Sequence, residues 1–145
     1  MNQIQELKER SFLVYGLGST GISVIKFFNK NKIKNFKIWD DNKKIKYKNF
    51  KAKNLAQTLN QVDFIVLSPG ISLIKNKKLN KFKKKIITDI DLFYLTKKNL
   101  KTIVVTGTNG KSTTCKLLTH LLQKNKFKSS LVGNIGTPIL NQFDK

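Results

Sequence analysis

Lys111, Ser112 and Thr113 directly follow a glycine in the run Thr106-Gly107-Thr108-Asn109-Gly110-Lys111-Ser112-Thr113, a set of residue types suited to holding a polyphosphate. Small residues let backbone N–H groups curl around phosphate oxygens, and a helix starting at Lys111 adds the partial positive charge of its N-terminus. Lys111 can then reach the outer phosphates, which makes it the candidate catalytic residue, and Ser112 is placed to ligate Mg²⁺. The general phosphate-loop pattern G-x-x-x-x-G-K-[ST] asks for glycine where this chain has Val105, so only the compact second half of that pattern is present.

A second glycine cluster, Gly16-Leu17-Gly18-Ser19-Thr20-Gly21, follows an apolar run and is itself followed, about 20 positions on, by Asp40-Asp41. Taken alone this is the dinucleotide-binding fingerprint. Gly16 allows the tight turn, Gly18 close approach to a pyrophosphate, Gly21 close helix–strand packing, and an acidic residue binds a ribose hydroxyl. On that ground alone a nicotinamide-binding protein is one reading. The triphosphate-type loop argues against it, because a dehydrogenase has no need of a second loop carrying Lys-Ser-Thr. Simpler readings stay open as well: Asp40 and Asp41 could cap a strand end, Ser68-Pro69-Gly70 could be an ordinary turn, and Asn134 could be a left-handed turn residue.

These residues need a scaffold, and the hydrophobic pattern supplies one. Ser11–Tyr15, Phe36–Trp39, Phe64–Leu67 and Ile86–Ile87 read as short strands. Between them lie helical patterns through Ile22, Ile25, Phe27 and Phe28, around Leu55–Leu59 and near Asn76–Phe82, with another over Asp89–Thr96. Alternating strand and helix predicts an α/β fold, a Rossmann-like, mainly parallel sheet covered on both faces. Lys97-Lys98-Asn99 is a polar break, after which Thr102–Thr106, a helix from Lys111 and Ser130–Val132 predict a second strand–helix–strand run. The expected division is a first domain over 1–98 and the truncated start of a phosphate-loop ATPase-like α/β domain over 99–145.

Composition narrows the setting. The formal charge of +21 comes from 29 basic residues of which all but Arg10 are lysine, scattered along the chain among many asparagines. That pattern reads as solvated faces, since planar recognition of bases and phosphates favours arginine, and no nucleic-acid partner is expected. The lone Cys115 cannot form an internal disulfide, and no apolar run nears the roughly 20 residues that cross a bilayer. With no apolar segment at the N-terminus, a cytoplasmic setting without membrane insertion is expected, and the chain is expected to be a monomer.

The compact form T-G-T-N-G-K-S-T resembles the nucleotide loop of the Mur ligases and of their relatives the folylpolyglutamate synthetases. Four other stretches, in order along the chain, resemble the D-glutamate-adding branch of the Mur ligase family: Gly16 to Ser23, Ser68-Pro69-Gly70-Ile71, Asp89-Ile90-Asp91-Leu92-Phe93 and Gly133-Asn134-Ile135-Gly136-Thr137-Pro138. The resemblance implies an enzyme of peptidoglycan synthesis, and so of cell-wall biogenesis, cell shape and division. It would join D-glutamate to UDP-N-acetylmuramoyl-L-alanine at the expense of ATP, through an acyl phosphate. It further implies that Ser19 and Thr20 contact the diphosphate, that Asp40 and Asp41 hold the uracil end, and that Gly70 lets the base approach. Asn134 would bind the sugar or its lactyl-peptide arm. Gly107, Thr108, Asn109, Gly110, Lys111, Ser112 and Thr113 would hold ATP, with Ser112 also on Mg²⁺. The family's acidic metal ligand, second-metal residues, adenine site and D-glutamate domain correspond to positions after Lys145, so these residues alone are expected not to catalyse ligation. A non-catalytic nucleotide-sugar-binding module is the alternative.

Overall fold

Phe12, Leu13, Val14 and Tyr15 are all buried, which is the signature of a strand with a packed layer on each face. In the computed structural model, which describes residues 3–42, 48–96, 100–133 and 135–144, these four residues form β1 at the heart of a parallel sheet. The remaining strands are β2 (Phe36–Trp39), β3 (Phe64–Leu67) and β4 (Ile86–Ile87). Their order is β2-β1-β3-β4, with Phe12 beside Phe36 on one side and Phe64 on the other, and Tyr15 beside Trp39 and Leu67. The α/β parallel-sheet architecture expected from the alternation is the one observed.

The alternation of side chains along each strand divides the core in two. Phe12 and Val14 face a cluster built with Val24, Ile25, Phe27 and Phe28 of α2 (Ser19–Lys30) and Leu92 and Phe93 of α4 (Asp89–Thr96). Leu13 and Tyr15 face the opposite cluster, with Leu59 of α3 (Leu55–Gln61) and Leu79 of a 3₁₀ helix at Lys77–Lys85. Aromatic rings bind the first cluster: Phe28 lies 4.9 Å from Phe12 and 5.3 Å from Phe36, centroid to centroid, and Phe36 stacks on Phe50 at 4.5 Å. Contacts at such distances add about 0.5–1.5 kcal/mol each beyond area burial.

Two features lie outside the sequence expectation. Gln3–Lys8 forms a helix, α1, and buries Leu7 in the first cluster. Ile4 and Leu7 lie three apart, a helical spacing too short to stand out in a polar decapeptide, and the docking of Leu7 secures the element. Ile139 and Leu140, at the start of a 3₁₀ segment over Ile139–Asp144, are buried in the same cluster.

The second strand–helix–strand run is realised only in its helix, α5 (Lys111–Lys124). Thr102–Thr106 is not a strand, and Ile103 and Val104 are 64% and 81% exposed. Ser130–Val132 is reduced to a single bridge between Val132 and Thr137. A strand exists only when its N–H and C=O groups meet a partner, and among the described residues none pairs with 102–106. The break at Lys97-Lys98-Asn99 lies outside the described residues.

Candidate functional site

β1 connects through α2 to β2 on one side, whereas β2 connects through α3 to β3 on the other side of β1. The carboxyl ends of β1 and β3 therefore flank a topological switch point, the place where open parallel sheets bind ligands. The loops leaving these ends are Gly16-Leu17-Gly18 and Ser68-Pro69-Gly70.

The two loops are stitched together. Ser68 Oγ, buried, donates to the Gly16 carbonyl at 2.8 Å, and the Ser68 N–H donates to the Tyr15 carbonyl at 3.0 Å. Gly16 has φ +94°, a conformation that side chains resist, and a β-carbon there would lie 2.9 Å from Ser68 Cβ. At Gly21 the helix backbone runs against the loop so closely that a β-carbon would meet the Gly16 carbonyl oxygen at 1.9 Å. By contrast, a β-carbon on Gly18 or Gly70 would meet nothing within 4 Å, so both glycines border open space. Gly18 is the N-cap of α2 with no side-chain capping bond, so the helix begins, at Ser19 and Thr20, beside that space.

Asp40 and Asp41, at the end of β2, differ in their partners. Asp40 Oδ2 accepts from the Leu17 N–H at 2.6 Å and Oδ1 from the Asn42 N–H at 3.0 Å, so this carboxylate ties the glycine loop to β2. Asp41 Oδ2 accepts from the Tyr15 hydroxyl at 2.8 Å and Oδ1 from Trp39 Nε1 at 2.9 Å. Burial, followed by the hydrogen bond to Asp41, pushes the Tyr15 phenol up to about 12 from 10.0, so it stays a proton donor. Sequence reasoning missed Tyr15, whose only signal was a polar-tipped aromatic at the last position of a buried strand. It also missed Asn76, whose amide donates to the Tyr15 hydroxyl at 2.9 Å. Trp39, the last residue of β2, is half-buried and bonds Asp41 through its indole N–H. Asn134 lies outside the described residues.

The second constellation stands at the start of α5. Gly107 has φ +146° and Gly110, the N-cap, φ +76°, and Gly110 carries no side-chain capping bond. Lys111 Nζ donates to the carbonyls of Gly107 and, at 3.0 Å, Thr108, so the ammonium is held against the loop. Thr106 to Thr113 are all exposed. A glycine-shaped turn, an uncapped helix start and a cation folded over the loop fit the demands of a phosphate chain. The hydrogen bonds of the first constellation join β1, β2 and β3 ends to one another, whereas those of Lys111 run within its own loop. Among the described residues, no group of three or more His, Cys, Asp or Glu is placed to hold a metal, and no helix is long and apolar enough to cross a membrane.

Comparison with known proteins identifies the family. The family model "Mur ligase MurD-like, N-terminal domain" matches residues 10–90. The UDP-N-acetylmuramoylalanine--D-glutamate ligase of Rickettsia prowazekii (strain Madrid E) is 42% identical over 143 residues, 92% of this chain and 32% of that protein. Proteins of the same name are 44% identical over 139 residues in Francisella tularensis subsp. tularensis (strain WY96-3418), covering 93% of this chain and 31% of the relative, and 53% identical over 88 residues in Francisella philomiragia subsp. philomiragia, covering 58% and 21%. The chain spans about a third of the length of the first and second of these relatives.

Proposed function

The chain belongs to the Mur ligase family, as a MurD-like N-terminal domain with the segment that follows it, and from that membership we propose that it binds UDP-N-acetylmuramoyl-L-alanine and ATP for the D-glutamate-adding step of peptidoglycan synthesis. The observation that carries the reading is the junction at the sheet's switch point. There Gly21 is pressed against Gly16, Ser68 ties the two loops together, and Gly18 and Gly70 border open space.

In this proposal the diphosphate lies at the start of α2, against the backbone of Ser19 and Thr20, where N–H groups favour anions. The uracil end lies toward Asp40 and Asp41, with Gly70 admitting the base and Asn134 reaching the sugar or its lactyl arm. Gly107 to Thr113 hold the phosphates of ATP. Lys111 leaves its own loop carbonyls to neutralise the transferring phosphoryl group, which is the main electrostatic demand of such a transfer. Ser112 supplies a hydroxyl ligand to Mg²⁺, which when bound offsets phosphate charge. The amine acceptor, D-glutamate, is a partner of the complete ligase reaction rather than of the residues described above, and a cytoplasmic setting follows from where such nucleotide substrates are made.

The test is calorimetric titration of the chain with UDP-N-acetylmuramoyl-L-alanine, ATP with Mg²⁺, and NADH. Saturable binding of the first two with no response to NADH is the expected result. Preference for NADH would return the Gly16–Gly21 loop to the dinucleotide reading. Phosphate release from ATP that requires both the UDP-sugar and D-glutamate, using these 145 residues alone, would overturn the expectation that they do not ligate by themselves.

A further inference from the structure

Tyr15 ends a strand buried on both faces, and its ring packs in the cluster on the α3 side of the sheet. Its hydroxyl has one proton to give and lone pairs to accept with. The proton goes to Asp41 Oδ2 at 2.8 Å, so the oxygen can only accept from Asn76, which must therefore present its amide nitrogen at 2.9 Å. Trp39 Nε1 holds the other oxygen of Asp41 at 2.9 Å. A donor on each oxygen removes the rotation that an exposed carboxylate otherwise keeps. Asn76 is itself anchored, its N–H on the Ser72 carbonyl at 3.1 Å and its carbonyl on the Leu79 N–H at 3.0 Å. The segment leaving Gly70 is thus tied, through one phenol, to the turn leaving β2.

We propose that Tyr15 and Asn76 are positioning residues for the base end of the nucleotide site, holding Asp41 as a fixed acceptor and spacing the β2 turn from the β3 turn. The inference rests on reading these strand ends as a uridine-diphosphate site. A fixed carboxylate acceptor favours uracil, whose N3 carries a hydrogen, over cytosine, whose N3 is itself an acceptor. Mispairing of that kind is what a polar site rejects most strongly. Neither residue needs to touch the ligand for this to hold.

The test compares the full chain with Tyr15→Phe and Asn76→Ala in titrations with UDP, CDP and inorganic pyrophosphate, below each protein's unfolding midpoint. Trp39, the single tryptophan, reports through its emission, with calorimetry alongside. Each variant is expected to bind UDP about threefold to tenfold more weakly, the range for losing one hydrogen bond's worth of positioning. UDP-over-CDP selectivity should shrink and pyrophosphate affinity should hold. Unchanged UDP affinity and selectivity in both variants overturns the proposal, as does a parallel loss for UDP and pyrophosphate, which marks a merely structural role. Should Tyr15→Phe fail to fold, Asn76→Ala carries the decision, its side chain being only half-buried. Failure of the unaltered chain to bind UDP removes the functional reading itself. Binding by the unaltered chain with indifferent variants removes only this inference.

Discussion

The α-carbon of Gly21 stands so near the carbonyl of Gly16 that a methyl group on it would reach within 1.9 Å of the oxygen. This contact sets the position of α2 against the sheet. Gly21→Ala is therefore expected to destabilise the fold by about 3 kcal/mol, the upper range for overpacking a close contact. Gly18→Ala, which meets nothing within 4 Å, should leave stability within about 0.5 kcal/mol while weakening UDP binding. Urea denaturation paired with UDP titration separates the two glycines. Equal stability losses would show that the closeness at Gly21 is not the constraint.

Ser68→Ala removes the donor to the Gly16 carbonyl in a buried setting. Leaving that oxygen without its partner costs about 1–3 kcal/mol. The loss should appear as a lower urea midpoint with an unchanged denaturant slope. UDP affinity should fall as well, because the two loops are no longer tied together.

Lys111→Ala is expected to lower affinity for ATP at least tenfold, as loss of a charge-assisted phosphate contact does. Stability should not follow. Lys111 is exposed and its bonds stay inside its own loop. A thermal midpoint that drops along with ATP affinity would indicate that the loop, rather than the phosphate, depends on this ammonium.

Alkali should single out Tyr15. Its phenol is raised from 10.0 to about 12 in the fold, by burial first and then by Asp41. The unfolded chain gives up this proton near 10 while the folded chain keeps it, so the unfolded state binds fewer protons and stability falls as pH rises between those values. Below that range the contribution is fully present. The contributions of all other groups cancel in the comparison, being the same in the unaltered chain and in Tyr15→Phe. The difference between their stability profiles should therefore diminish from pH 10 to 12. A constant difference would show that the fold does not raise this phenol.

Much of the scaffold was written locally. Phe36–Trp39, Phe64–Leu67, Ile86–Ile87 and Asp89–Thr96 form where pattern and turn residues put them, because apolar spacing and punctuation by glycine, proline and aspartate act over a few residues. The glycine loops and the adjacent acids were legible for the same reason. Thr102–Thr106 shows the limit of such signals. Its apolar run has the composition of a strand, yet composition provides no hydrogen-bonding neighbour.

Tertiary structure alone decided the division of work among the polar groups. Asp40 and Asp41 are interchangeable neighbours in the sequence, but one holds the Leu17 backbone and the other is clamped by Tyr15 and Trp39. Ser68 reaches back 52 positions to Gly16, and Asn76 reaches 61 to Tyr15. The sequence by itself determined that Phe36–Trp39, Phe64–Leu67 and Ile86–Ile87 become strands and Asp89–Thr96 a helix, and which loops are rich in glycine, since those depend on near neighbours. The strand order, the closeness of Gly21 to Gly16 and the partner of each carboxylate arise only when the sheet is assembled, because hydrogen bonds between distant residues are chosen by packing that no local pattern encodes.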